Sequence, residues 1–329
     1  MRPILALLAV LLLPAQGAAQ PFSFAAFGDM PYCTDPDDCP AEIARVEAVV
    51  DAINAVRPAF SLFLGDTKAE REACSDAVVF DRTLAWMQRI EGALVYTPGD
   101  NEWTDCWQLR VRDRATGHEN RTHYDPLILL RGIRARFFPG PQSLGRRPIP
   151  LARQADEDPP RADFVENSRW THNGILFLTV HVPGSDNNRI LASVRPDAAT
   201  ELQARNAANL AWIEAGFALA MQGGLRGVVV AMQADMYPCR GPSGQGYADT
   251  RRVLAEAARR YGRPVLLLHG DSHFHLRDRP VPEAPNLLRL MVPGEGDTRA
   301  LLIRVDPDAS EPFVESMLGP SDRVAPSRC

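Results

Sequence analysis

Lysine is nearly missing from this sequence: of 36 basic residues all but Lys68 are arginine, and nowhere do basic residues form a run. With a net charge of −5, the chain has no electrostatic footprint for nucleic acid. Its six cysteines include no CxxC pair, which excludes the usual structural zinc spacing. Beyond the first 20 residues no apolar run approaches the ~20 residues that span a bilayer. There is no Gly/Ser linker, no repeat of fixed period and no low-complexity tract, so tethered modules and solenoids are excluded. What remains is a chain that is 45% hydrophobic, enough for one core of ordinary size.

The N-terminus has its own pattern. Arg2 precedes the apolar run Ile4–Leu13, and the small residues Ala15-Gln16-Gly17-Ala18-Ala19 follow. That is the layout of a secretory signal peptide. We expect residues 1–20 to be removed and residues 21–329 to form one secreted or periplasmic domain. An even number of cysteines in an exported chain implies disulfides. Cys33 and Cys39 bracket a short acidic loop and are expected to pair. Cys74 and Cys106 each follow a Gly-Asp pair and are expected to meet across neighbouring loops, leaving Cys239 for Cys329.

Several apolar runs stop abruptly at Gly-Asp: Phe22–Phe27 at Gly28-Asp29, Phe60–Leu64 at Gly65-Asp66, Ala93–Pro98 at Gly99-Asp100, and Val265–His269 at Gly270-Asp271. A fifth, Val228–Met232, stops at Gln233-Ala234-Asp235. Continuous apolar runs of this length read as strands buried on both faces. Helical periods separate them over 40–56, 77–90, 199–221 and 247–261. This alternation predicts an α/β fold with a largely parallel sheet. Segments 162–182 and 285–318 read as hairpins, the first turning at Asn173-Gly174. Residues 104–160, rich in Arg and Pro, read as an irregular insertion with one helix near 126–137.

One Gly-Asp after a strand is ordinarily a turn or a helix cap. Four at strand ends is another matter, because ligands of parallel sheets bind beyond those ends. Four carboxylates sharing a crevice repel unless cations neutralise them. A site of one or two divalent ions follows.

Asp29, Asp66, Gly99-Asp100-Asn101-Glu102, Gln233 and Gly270-Asp271-Ser272-His273 resemble, in order, spacing and strand-end placement, the five motifs of calcineurin-like metallophosphoesterases across roughly residues 22–280. That resemblance implies a four-layer αββα sandwich whose central sheets are largely parallel with antiparallel edge hairpins. It also implies hydrolysis of a small phosphorylated substrate. Asp66 would bridge two ions, with Asp29 and His273 on the first and Asp100, Gln233 and Asp271 on the second. The family's histidines are largely replaced. Pro31 and Asn101 stand where imidazoles belong, as do Gln233 and Asp271. The oxygen-rich set favours Mg²⁺, Mn²⁺ or Ca²⁺ over Zn²⁺, with Fe open.

Further candidates surround these motifs. Lys68, two residues after Asp66, is placed to neutralise phosphate. His181, at the end of the run Ile175–Val180, is the candidate replacement for the general acid, and Asn101 the third catalytic candidate. Asn187 and Asn188 in the polar loop beyond are expected to face substrate. His275 reads as a spare ligand and His269 as a buried structural imidazole, while His118, His123 and His172 carry no motif. Two rival readings remain open. In one, Ser272 is an esterase nucleophile. In the other, the loss of imidazoles leaves a catalytically impaired fold that binds an anionic or phosphorylated ligand.

Overall fold

The computed structural model describes residues 20–33, 39–107, 124–239, 241 and 243–320, and the backbone alone of 109–112 and 119–122. The expected leader lies outside the described residues apart from Gln20, as do His118, His123 and Cys329. The strands run β1 (Phe22–Phe27), β2 (Ser61–Phe63), β3 (Ala93–Tyr96), β4 (Leu109–Arg112), β5 (Glu119–Thr122), β6 (Leu144–Gly145), β7 (Ala152–Arg153), β8 (Ser168–His172), β9 (Ile175–Thr179), β10 (Gly227–Ala231), β11 (Val265–His269), β12 (Leu276–Asp278), β13 (Leu287–Met291), β14 (Ala300–Val305) and β15 (Phe313–Leu318).

They form two large sheets, ordered β15-β14-β1-β2-β3-β6 and β12-β13-β11-β10-β9-β8-β7, with β4-β5 as a separate hairpin. β1, β2 and β3 are parallel, as are β9, β10, β11 and β13, and the antiparallel strands lie at the edges. The sheets stack face to face over a dry layer in which Phe24, Leu62 and Ile303 meet Phe177, Val229 and Leu266. This explains why the runs read as apolar without alternation: each strand faces the partner sheet on one side and helices on the other. The helix Cys39–Val56 covers the outer face of the first sheet. The helices Pro196–Gln222 and Ala248–Tyr261 cover that of the second. The result is the four-layer αββα sandwich.

Local chemistry sets the helix ends. Asp125 caps Pro126–Phe137, accepting from Leu127 N at 2.9 Å and Ile128 N at 3.3 Å, with Pro126 at the first helical position where its missing N–H costs nothing. Ala248–Tyr261 stops at Gly262, whose φ of 67° is the left-handed cap glycine accepts. No helix among the described residues is long and apolar enough to cross a membrane.

The structure differs from the sequence expectation in two places. Residues 285–318 do not form one hairpin. β13 is fully buried and pairs parallel with β11, while only β14 and β15 form a hairpin, on the first sheet. The helix expected over 77–90 opens as a π-turn over Ala77–Arg82 before becoming α-helical at Thr83–Met87. There Arg82 reaches Glu72, Thr67 O (3.2 Å) and the sulfurs of Cys33 and Cys39. Cys33–Cys39 and Cys74–Cys106 are disulfides, as expected. Cys239 is also disulfide-bonded, and its expected partner Cys329 lies outside the described residues.

Candidate metal centre

All the parallel strands deliver their carboxyl ends to one crevice between the sheets. Immediately past them the backbone turns sharply. Asp29, Asp66, Asp271 and His273 have φ of 54°, 58°, 79° and 62°, the left-handed region that costs a non-glycine residue about 1 kcal/mol or more. Such strain persists only where neighbours enforce it. Glycine at Gly99 and Gly270 is required for a different reason: a Cβ on Gly99 would collide with Asp66 Oδ1, and one on Gly270 with Asp29 Oδ2. Backbone and carboxylate therefore touch directly.

Asp29, Asp66 and His273 bring ligand atoms within 4.8 Å of one another. His273 Nε2 lies 3.6 Å from Asp29 Oδ1, and Asp271 N donates to both Asp29 oxygens at 3.0 and 3.2 Å. Asp66 is held from three sides. Tyr32 Oη donates to its Oδ2 at 2.9 Å, Asn101 Nδ2 to the same oxygen at 3.0 Å, and Asn101 N to Oδ1 at 3.1 Å. Beneath, Glu102 accepts from Asp66 N (3.1 Å), Gly99 N (2.8 Å) and Tyr96 Oη (2.6 Å), fixing both turns to each other.

Gly184 ties the second group together. Its N–H donates to Gln233 Oε1, and its Cα stands so close to Asp100 that a Cβ would collide with that carboxylate. Ser185 Oγ lies between two carboxylates, 2.9 Å from Asp100 Oδ2 and 2.6 Å from Asp105 Oδ1, with one proton to share between them. Asp271 Oδ2 accepts from Asp235 N at 2.8 Å.

The electrostatics are one-sided. Burial, and then neighbouring carboxylates, push Asp66 and Asp100 well above the usual carboxylate range. Burial raises Asp29 to about 7 against the pull of His273, and Asp271 to about 6. Asp100 Oδ1 is buried with no hydrogen-bond donor. A buried carboxylate oxygen without a donor, among carboxylates that repel one another, fits a bound cation. The donor set is carboxylates, an amide oxygen and one imidazole, which suits hard divalent ions.

Other sequence candidates lie around this cluster rather than in it. Lys68 is buried, and its Nζ donates to Ala69 O (2.8 Å) and Glu70 O (3.4 Å); burial lowers its pKa. His181 is buried beside Trp103 with Nδ1 2.8 Å from Glu166 Oε1 and Nε2 unpartnered. Asn187 and Asn188 are buried too, Asn187 being bound by Arg205 and donating to Gly246 O at 3.1 Å. His269 is buried with Nδ1 2.9 Å from Gly270 O. His275 faces Glu315, 3.7 Å away, not the cluster. Ser272 Oγ donates to Asp235 Oδ2 at 2.8 Å, and Asp235 is ion-paired with Arg289 at 3.0 Å. An activated serine would need a base in that place.

Two groups in the cluster carried no sequence signal. Tyr32 Oη sits between Asp66 and His273, 3.0 Å from His273 Nε2, and also accepts from Asn101 Nδ2 at 2.9 Å. The only available hint was its place three residues after Asp29. Glu295, 3.2 Å from His273 Nδ1, follows β13, a strand read as part of a hairpin.

No protein-family model matches the chain, and no curated protein matches it at a significant level. Solved structures do. A dimetal phosphatase from Danio rerio superposes with a TM-score of 0.53 at 12% identity, over 91% of this chain and 99% of that one. A purple acid phosphatase from yellow lupin (Lupinus luteus) seeds gives 0.50 at 11%, over 96% of this chain and 58% of that one. The likeness is one of fold, and the fold is of metallophosphoesterase type.

Proposed function

We propose that this chain, with its metallophosphoesterase-type fold, hydrolyses a small phosphoester with the help of divalent ions. Asp29, Asp66 and His273 hold one ion. Asp100, Gln233 and Asp271 hold a second, with Asp66 shared. The observation that carries the reading is the meeting of Asp29, Asp66 and His273 within 4.8 Å in a crevice crowded with further carboxylates. Bound divalent ions supply an activated water at neutral pH and offset phosphoryl charge.

The residues around them position and donate. Tyr32 Oη, donating to Asp66 and 3.0 Å from His273 Nε2, orients both ligands of the first position. The Asn101 amide spends its two N–H groups on Asp66 and Tyr32 and has no proton to give up, so it orients these groups rather than acting as acid. Lys68 adds positive charge from below. His181, Asn187 and Asn188 hold the loop that shapes Asp100 and Gln233. The disulfides, together with the leader-like N-terminus, support action outside the cytoplasm.

Elemental analysis of the purified protein, followed by a panel of phosphomonoesters and diesters with added Mg²⁺, Mn²⁺ or Ca²⁺, tests this. We expect bound metal and hydrolysis, with turnover reduced at least about a hundredfold in Asp66→Asn. Undiminished hydrolysis in that variant would refute the assignment. A second reading draws on the exposed half of the site, where His273 is the one imidazole in the cluster. Metal binding and stabilisation by a phosphate ester without turnover would favour a binding protein instead.

A further inference from the structure

A cavity of about 740 Å³ lies between the helix Pro126–Phe137, residues 162–165 and the helix Pro196–Gln222, a volume that suits a small organic ligand. Leu130, Phe138 and Phe164 make its wall apolar, and Arg131, Arg134 and Glu201 supply charge. None of the proposed metal ligands lines it.

Two of its charged groups lead inward. Arg134 donates from Nε and Nη2 to Glu166, at 3.0 and 2.6 Å, and Glu166 Oε1 also meets His181 Nδ1. Against its burial, Arg134 and His181 hold the Glu166 carboxyl well below the usual range, so it stays charged. Glu201 accepts from Arg205 Nε at 2.7 Å, and Arg205 donates onward to His181 O and Asn187 O, each at 3.2 Å, and to Asn187 Oδ1. Both lines end on residues 181–188, the loop whose Gly184 and Ser185 hold Gln233 and Asp100. Ser185, Asp186, Asn187 and Asn188 have φ of 49°, 53°, 58° and 66°. Four consecutive non-glycine residues in the left-handed region make a costly conformation that exists only while its surroundings enforce it.

We propose that this cavity is a regulatory site for a small apolar monocarboxylate, and that its occupancy sets the 181–188 loop and through it Asp100 and Gln233. The charge arrangement selects the class. Among the described residues Arg131 has no ion pair, and Arg134 leaves Nη1 uncommitted beyond its bonds to Glu166. The two guanidinium groups are one helical turn apart, which suits a carboxylate. The wall carboxylates Glu201 and Asp197 are already bound, by Arg205 and Arg195. Asp163 on the rim opposes a second negative charge.

The test uses full-length protein, both Mn²⁺-loaded and chelated, with sodium decanoate as probe and decanol as its uncharged control. We expect decanoate, and not decanol, to raise the Tm of both forms. Arg131→Ala should weaken it at least about tenfold. Ala204→Trp, or Ala135→Trp from the facing helix, should abolish the effect by filling the cavity. Saturating decanoate should shift the Mn²⁺ dissociation constant of the wild type about fivefold or more and leave that of the cavity-filled variants alone. No stabilisation by decanoate, or stabilisation that survives cavity filling, would overturn the site; an unmoved Mn²⁺ affinity would overturn the coupling. The coupling rests on the metal-centre reading and the chelated arm does not. Decanoate binding to a protein that takes up no Mn²⁺ would therefore overturn the coupling and that reading while supporting the cavity.

Discussion

The two sheets build their halves of the site by different means. On the first-sheet side, Asp66 and Asp100 are braced by neutral donors and a covalent clip. Glu102 accepts two backbone N–H groups and Tyr96 Oη, and Cys74–Cys106 joins the chain beyond Asp66 to the chain beyond Asp100. On the second-sheet side the braces are guanidinium groups, those of Arg289 and Arg205 buried and that of Arg134 partly exposed. Arg289 holds Asp235, Arg205 holds the 181–188 loop, and Arg134 holds Glu166. None of the three arginines touches a proposed metal ligand; Arg289 and Arg205 are spent on Asp235, Asp278, Glu201 and Asn187. No arginine or lysine among the described residues forms a salt bridge with Asp29, Asp66, Asp100 or Asp271; His273 lies 3.6 Å from Asp29, and buried Lys68 acts on Asp66 only at longer range. A fold able to bury Arg205 and Arg289 this close had cations to offer those four carboxylates. Their exclusion points to metal ions as the intended counter-charge.

This contrast can be broken from either side, and the second-sheet side should give more. Arg289 is buried on β13, bidentate to Asp278 (2.7 and 2.6 Å) and bonded to Asp235 and Tyr237 O. Arg289→Ala leaves the buried Asp235 charge uncompensated, which costs about 3–5 kcal/mol. Denaturant unfolding should show a loss of that size, and salt should not restore it. A loss under about 1 kcal/mol would mean that Asp235 escapes to water or takes up a proton. The first-sheet side should yield less. Cys74→Ser with Cys106→Ser opens a loop of 32 residues' separation, worth about 3.7 kcal/mol. Because the sulfurs flank Asn101 O, at 4.0 and 3.5 Å, Mn²⁺ affinity should fall as well. Equal Mn²⁺ affinity before and after reduction would show that Glu102 alone holds the two turns.

The same division governs what could be read from the sequence. The strands β1, β2, β3, β10 and β11 were legible because burial on both faces demands unbroken apolar runs, and the abrupt Gly-Asp marks where each leaves the sheet. Two disulfides were legible, Cys74–Cys106 from their places after those turns and Cys33–Cys39 from the short loop they bracket. β13 was not: whether a short apolar strand joins a hairpin or slides in parallel beside β11 depends on which neighbour remains unpaired, and that is a property of the whole sheet. Tyr32 and Glu295 were hidden for a related reason, since each reaches His273 from a distant part of the chain. Lys68 stood out by its rarity and its place after Asp66, but nothing in the sequence showed that its Nζ satisfies the carbonyls of Ala69 and Glu70.

The smallest expected effect bears directly on the excluded cations. Without metal, the Asp29 carboxyl titrates near 7 in the folded chain because burial disfavours its charged form, against about 3.9 when unfolded. The folded state therefore binds more protons than the unfolded state between those values. Stability then falls as pH rises through that window. Asp271, raised to about 6, adds in the same direction. His273 does too, since Glu295 and Asp29 raise its pKa against burial, and stability from a raised imidazole is likewise lost with rising pH. Asp29 alone should cost the chelated protein roughly 2 kcal/mol between pH 5 and pH 7, read as a falling Tm. Adding Mn²⁺ should reverse the slope, because an ion bound among ionised carboxylates competes with protons and gains as they leave. A chelated protein equally stable at both pH values would mean that the four carboxylates already have a counter-charge. The contrast between the two halves of the site would then lose its meaning.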